Sequence, residues 1–250
     1  MFNREYIPQA REQFSAKRYA VLDNILLPEY IRALYDAVPK LDYGVWTCIH
    51  SSHNKYPSGW QDDPQFDQRL EQFIEAARGQ FSYWHYAYWL LKDYHKVHDD
   101  PLVTEFNRMV TEDYSMGKPK YTFHDLVSEV TGFTNMYTDQ PTYSYYDHTA
   151  WLNAHHDPRR WCAYIFYFNE TWLTQWGGQL CILDKDERTI VNSIEPFGNR
   201  LVIMDVSELA GARINKHFIS PVSITADHPR YSLAGWFYQK DSDGPSPVRS

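Results

Sequence analysis

The residues best suited to chemistry stand together in the segment Trp151-Leu152-Asn153-Ala154-His155-His156-Asp157. Read as a strand, it puts Trp151, Asn153, His155 and Asp157 on one face and Leu152, Ala154 and His156 on the other. His155 and Asp157 can then share one metal ion. With a second imidazole from a distant strand, they would make a two-histidine, one-carboxylate set, which suits Fe(II) and leaves one face of the ion open. His156 belongs to the outer face, because a strand cannot aim it and the adjacent Asp157 at one point. Trp151 and Asn153, facing inward beside the ligands, are candidate substrate contacts. A second HxD, His98-Asp99-Asp100, lies in the polar, proline-bounded stretch DYHKVHDDP (93–101) without a strand pattern or a matching downstream set, and is read as a decoy.

Further motifs follow in a fixed order: Tyr167-Phe168-Asn169, Gly177-Gly178-Gln179-Leu180, Glu195-Pro196 leading into NRLVIMD, His217-Phe218-Ile219-Ser220-Pro221-Val222, and Arg230-Tyr231-Ser232-Leu233-Ala234-Gly235-Trp236. This order resembles the prolyl-hydroxylase-like branch of the Fe(II)- and 2-oxoglutarate-dependent oxygenases, whose pattern runs HxD, YxN, GGxL, HxVxPV and RYSLxGW. The resemblance covers roughly residues 120–240. The preceding LVSEVTGF and YYDHTAWLNAHHD look like the intracellular branch that includes ribosomal-protein prolyl hydroxylases.

The resemblance implies that His155, Asp157 and His217 are the catalytic metal ligands. It assigns Arg230 to the distal carboxylate of 2-oxoglutarate, a task for a planar guanidinium fork. Tyr167, Ser232 and Tyr145 join it in the co-substrate site. The implied cofactors are Fe(II), 2-oxoglutarate and O2, with ascorbate as a reductant. The implied reaction is hydroxylation of an unactivated C–H bond with release of succinate and CO2. Its substrate would be a prolyl residue of a peptide or protein, or a proline-like or other amino acid or natural product. Two features depart from the pattern. A loop containing SITADHP lengthens the gap from His217 to Arg230, which leaves Arg200 as a competing arginine, although its GNRLVIMD context matches the preceding strand. Phe218 is bulkier than usual between His217 and Ile219. A 2-oxoglutarate-independent metal cupin enzyme, or a non-catalytic jelly-roll binding or sensor module, is the alternative, but the first leaves Arg230, Ser232 and Tyr167 without a role. An aspartate at 157 argues against halogenation.

These groups must be positioned by strands. From about Gly132 the chain breaks into short aromatic or β-branched runs, TYSYY, CAYIFYF, GGQLCIL, NRLVIMDV and RYSLAGWFY, at the spacing of a sandwich or double-sheet barrel. Upstream, RYAVLDNIL reads as a strand, and Ile31, Leu34, Tyr35 and Val38 recur at helical spacing from Leu27-Pro28. A longer helical pattern runs from Pro64 to about Leu91, ending in the aromatic FSYWHYAYWLL, which reads as core rather than as a cofactor box. PLVTEFNRMVTE and TFHDLVSEVTG are two further helices. The expected fold is mainly β with N-terminal helices around a double-stranded β-helix, a cupin-like jelly-roll. One catalytic domain is expected: a mostly helical support at 1–118, the oxygenase core at 119–240 and a flexible tail at 241–250.

Bulk properties agree with this. The chain has 250 residues, a formal charge of −8 and no long Lys/Arg run, a poor basis for nucleic-acid binding. It has 9 Trp, 20 Tyr and 13 Phe, enough to line pockets as well as fill a core. Cys48, Cys162 and Cys181 are an odd set without CxxC spacing, so neither a disulfide framework nor a cysteine zinc site is indicated. The opening MFNREYIPQAREQF has no apolar signal-peptide core, and no segment approaches a membrane span. The partners expected are a small-molecule or peptide substrate, with no nucleic acid and no membrane, in the cytoplasm.

Overall fold

The N-terminal part alternates helices with strands. In the computed structural model, which describes residues 1–40, 47–52, 68, 84–91, 100–111, 121–138, 141–157, 160–207 and 216–239, helix α1 (Ile7–Lys17) ends at Arg18 in the left-handed region and leads into strand β1 (Tyr19–Asp23). Helix α2 (Pro28–Ala37) starts on a proline, whose fixed φ suits a first helical residue, and buries Ile31, Leu34 and Ala37. Strands β2 (Thr47–Ser52) and β3 (Trp84–Leu91) pair with each other, and β3 also pairs with the long strand described below. The end of the predicted Pro64–Leu91 helix is therefore corrected. Residues 84–91 are rich in Trp, Tyr and Leu, which suit a pleated surface, and pairing on both edges outweighs a weak helical period. Apart from residue 68, the stretch 64–83 lies outside the described residues, as does 240–250, where the tail is expected.

Helix α3 (Pro101–Thr111) is capped by Asp100, whose Oδ1 accepts from the backbone N–H of Leu102 at 2.8 Å and of Val103 at 3.2 Å. Such a cap contributes about 1 kcal/mol. The last residue of the decoy HxD thus serves a helix end, while His98 and Asp99 lie outside the described residues. Helix α4 (Phe123–Thr131) opens with a capping box between Thr122 and Asp125 and stops at Gly132 in the left-handed region.

The remaining strands are β4 (Met136–Thr138), β5 (Thr142–His155), β6 (Cys162–Tyr167), β7 (Leu180–Leu183), β8 (Ile190–Ile194), β9 (Arg200–Asp205), β10 (His217–Ile219) and β11 (Arg230–Gln239). The order is β1-β9-β6-β11-β5-β10-β7-β8, all antiparallel. β5 is the hinge of this order. Its first half pairs with β11, Tyr146 opposite Arg230, and its end pairs with β10, His155 opposite His217. One strand thus runs through both sheets of a jelly-roll and links the Arg230 end to the His217 end. β6 is buried at all six positions because both of its faces are covered. On the outer face, Phe106 of α3 meets Phe166 edge-on at 5.3 Å and Phe123 of α4 meets Tyr164 at 4.8 Å. Among the described residues no helix is long and apolar enough to cross a membrane.

Candidate active site

Strand register assembles the first part of the site. His217 stands opposite His155, with ring centroids 4.4 Å apart, and Asp157 just past the end of β5 places Oδ2 3.9 Å from Nε2 of His217. One donor atom from each of the three lies within 4.8 Å of the others, and all three residues are buried. A slight contraction brings such donors onto one ion with bonds of about 2 Å. Nδ1 of His155 donates to the backbone carbonyl of Asn153 at 2.8 Å, which fixes the tautomer with its lone pair on Nε2. Burial pushes the Asp157 carboxyl up, but the His217 and His155 imidazoles, the Trp236 indole and the Arg160 guanidinium outweigh it and hold it below its ordinary value. It is therefore a carboxylate, the form a metal requires. Two imidazoles and one carboxylate, with the other faces left to exogenous ligands, fit Fe(II).

The second part is built around Arg230. The residue is only 1% exposed. Its Nε donates to the Gly178 carbonyl at 2.8 Å and its Nη1 to Ser232 Oγ at 3.1 Å, while Ser232 Oγ shares a 2.9 Å bond with Ser144 Oγ. The guanidinium lies over the rings of Tyr146 (4.7 Å) and Tyr167 (4.9 Å). No carboxylate pairs with it among the described residues. Burial pushes the Tyr167 hydroxyl up, only partly opposed by the Arg230 charge, so it remains a neutral donor, and it makes no hydrogen bond of good geometry. The glycine pair explains the close fit. Gly177 and Gly178 have φ of +72° and +67°, and a Cβ on them would lie 2.1 Å from the Pro221 carbonyl and 3.0 Å from Cδ of Arg230.

The sequence candidates fall as follows. Ser232 and Tyr167 stand beside Arg230. Tyr145 does not: its ring packs against Tyr231 at 6.0 Å, on the opposite face of the sheet, and Tyr146 is the residue over the guanidinium. A one-residue offset in a strand reverses the face, and alternation alone does not say which of the two adjacent tyrosines shares the face of Arg230. Arg200 is held by Asp23, through Nε at 2.6 Å, and by the Glu195 carbonyl, and so is already paired. The longer gap after His217 folds back as a loop, with Val222 bridged to Gly177, and Arg230 still reaches Gly178. His156 is exposed, on the outside. Trp151 and Asn153 are half-buried and joined to each other, indole N–H to Oδ1, at 2.7 Å.

Besides Tyr146, three residues were missed. Arg160 lies 3.4 Å from Asp157 and covers the Trp236 ring at 4.2 Å. Trp236 could have been found, since it shares the β11 face of Arg230 and Ser232; for Arg160 there was no signal. Asn169 is a positioning residue: its Oδ1 accepts from the Tyr231 N–H at 2.8 Å and its Nδ2 donates to the Pro196 carbonyl at 2.6 Å, which fixes the strand next to Arg230.

Comparison with known proteins bears on this geometry. Residues 141–238, which contain both parts of the site, match the model of the 2OG-Fe(II) oxygenase superfamily. A prolyl-4-hydroxylase from Pseudomonas putida superposes with a TM-score of 0.53 at 14% identity, covering 94% of this chain and 100% of that one. A prolyl hydroxylase from Trichoplax adhaerens, in complex with a hypoxia inducible factor oxygen degradation domain peptide fragment, gives 0.51 at 14%, covering 94% and 90%. A 2OG-Fe(II) oxygenase family oxidoreductase from Burkholderia pseudomallei gives 0.58 at 8%, covering 96% and 94%. A search of curated proteins returns no match. Residues 141–238 thus match a 2OG-Fe(II) oxygenase domain, and the fold is similar to the jelly-roll of the prolyl hydroxylases. The protein is accordingly a 2-oxoglutarate-dependent dioxygenase that uses Fe(II), 2-oxoglutarate and O2.

Proposed function

We propose that the protein hydroxylates an unactivated C–H bond of a prolyl residue, or of a proline-like amino acid, with release of succinate and CO2. In this reading His155, Asp157 and His217 hold Fe(II), and Arg230, with Tyr167 and Ser232, holds the distal carboxylate of 2-oxoglutarate. The observation that carries it is Arg230, a buried guanidinium whose polar partners are a carbonyl and a hydroxyl. Burying an ion costs several kcal/mol unless a counter-charge repays it, so a cation kept in such a pocket is suited to receiving an anion. The shielding rings of Tyr146 and Tyr167 strengthen that attraction by excluding water. When bound, Fe(II) and 2-oxoglutarate supply the activation of O2 and the oxidation of carbon. The chain's residues hold, orient and dry the site.

The prolyl preference is supported by likeness to the Pseudomonas and Trichoplax hydroxylases. The half-buried ring of Trp236, whose indole reaches Asp157, offers an apolar wall for a small saturated ring. We take residues 119–240 as the catalytic core, 1–118 as its support and 241–250 as a tail. A cytoplasmic setting is consistent with the free, buried Cys162 and Cys181. The test is anaerobic titration of the Fe(II)-loaded protein with 2-oxoglutarate, followed by succinate release with proline-containing peptides and with free proline. A visible metal-to-ligand charge-transfer band and proline-stimulated succinate are expected. A loaded protein without the band overturns the co-substrate assignment, and a band without proline stimulation overturns the substrate.

A further inference from the structure

Arg160 stands at the edge of the metal-binding corner and is held on three sides. Its Nε donates to the Tyr238 hydroxyl at 3.2 Å, its Nη1 lies 3.4 Å from Asp157 Oδ1, and its guanidinium covers the Trp236 ring at 4.2 Å. Tyr238 is itself fixed, since its ring stacks on Tyr137 at 5.3 Å where β11 pairs with β4. A long side chain that ordinarily loses rotamer freedom on binding a ligand is thus already ordered. These contacts do not use up its donors. A guanidinium has five N–H groups in one plane. Nη2 makes no hydrogen bond to a described residue, and the side chain is 28% exposed where the adjoining Asp157 is 7% exposed. Donors remain for a further partner beside the metal ligands.

The charges of the site say what that partner is. Without a metal, Asp157 is the counter-charge of Arg160. In the functional reading above, the Asp157 charge goes to Fe(II) and the Arg230 charge is met by 2-oxoglutarate, which leaves Arg160 without a counter-ion among the described residues. Arg200 is paired with Asp23 and does not enter the balance. A partly buried cation in that position favours an anion, and a planar fork favours a carboxylate. A prolyl residue inside a peptide carries none, because its carbonyl is an amide. A free proline-like amino acid, or one at the end of a chain, carries a carboxylate within a few bonds of every ring carbon. We infer that Arg160 is a specificity-determining residue that binds a free carboxylate on the residue being hydroxylated, so that an internal prolyl residue is not the substrate.

The inference rests on Fe(II) at the corner and 2-oxoglutarate on Arg230, and its test is binding without turnover. The anaerobic complex of protein, Fe(II) and 2-oxoglutarate is titrated with acetyl-L-proline, with acetyl-L-prolinamide, which differs only in lacking the charge, and with L-proline. Binding is followed by the shift of the charge-transfer band and by tryptophan fluorescence, since Trp236 lies under Arg160. The wild type is expected to bind the carboxylate at least about tenfold more tightly than the amide, the value of a hydrogen bond to a charged group. Arg160→Gln should abolish that preference, and Arg160→Lys, a charge without the fork, should restore part of it. Binding of L-proline as well assigns a free amino acid; binding of acetyl-L-proline alone assigns the last residue of a chain. Equal or tighter binding of the amide by the wild type overturns the inference and leaves the prolyl reading standing. An equal loss for carboxylate and amide in Arg160→Gln also overturns it, and makes Arg160 a support of Asp157 only. If no proline compound binds, the prolyl reading fails, and formate, a carboxylate without a ring, decides for Arg160: a saturable fluorescence change lost in Arg160→Gln supports the carboxylate site, and no change overturns it. If the wild type shows no charge-transfer band, the co-substrate reading fails and the inference falls with it.

Discussion

The corner of His155, Asp157 and His217 and the pocket of Arg230 are the two ends of one site, and they differ in how their charge is balanced. At the corner a buried carboxylate lies beside two imidazoles and 3.4 Å from the Arg160 guanidinium, so it has a counter-charge within the protein. At the other end, among the described residues, a buried guanidinium meets only neutral oxygens and aromatic faces. The corner is a preassembled ligand set. The pocket is an uncompensated one, and its stability is coupled to what it binds.

Removal of Asp157 should give the largest effect. Asp157→Ala leaves two imidazoles beside Arg160 and removes the only carboxylate of the donor set. Fe(II) affinity should fall by more than about 100-fold, beyond what outer-shell changes produce, and succinate formation should be lost. Calorimetric Fe(II) titration under argon checks this; metal affinity within a factor of a few of wild type would show that the corner is not the metal site.

Removal of the charge at the other end should separate function from stability. Arg230→Met keeps an apolar stem of similar length and abolishes the unpaired cation, so the protein without co-substrate should melt at the same or a higher temperature. Affinity for 2-oxoglutarate should fall by about 2–5 kcal/mol, the usual cost of truncating one member of a buried charge pair. In thermal melts 2-oxoglutarate should stabilise the metal-loaded wild type and not the variant. A variant that melts much lower, with co-substrate affinity intact, would make Arg230 a structural residue.

The same difference governed what could be read from the sequence. The corner was legible because alternation in one strand fixes which residues can meet: His155 and Asp157 at a spacing of two, with His156 excluded. The pocket was legible only through motif order, since Arg230 and Gly178 are joined by a fold-back that no local period announces. Tyr145 and Tyr146 are adjacent, and whether 145 or 146 faces inward depends on register with β11, which composition does not carry. Strands β1, β5, β6, β7, β9 and β11 and helices α2, α3 and α4 were legible from their apolar or aromatic runs, while the three-residue β4 and the largely exposed β8 were not. Helix α1 was not, because it buries only Ile7, Ala10 and Phe14. The aromatic run ending at Leu91 was mistaken because its strand character comes from its neighbours β2 and β5.

A smaller perturbation should come from Gly178, where backbone and pocket meet. Gly178→Ala places a Cβ at a φ of +67° and 3.0 Å from Cδ of Arg230. The backbone strain is about 1–2 kcal/mol, to be read as a lowered denaturation midpoint, and the displaced guanidinium should raise KM for 2-oxoglutarate with little change in kcat at saturation. Loss of kcat with KM intact would mean that the glycine serves the metal corner instead.

The smallest expected effect is the one that tests the register most directly. Tyr146→Leu removes a ring from the face of the Arg230 guanidinium and should weaken 2-oxoglutarate binding by about 0.5–2 kcal/mol, the range of a cation–π contact. Tyr145→Leu, one residue away, should lower the melting temperature through lost packing on Tyr231 and leave co-substrate affinity unchanged. Both substitutions remove a similar ring from the same strand, so their difference isolates which face each residue occupies. If the two effects were exchanged, β5 would run one residue out of register with β11, and the contacts assigned to Ser144 and Tyr146 beside Arg230 would have to be redrawn.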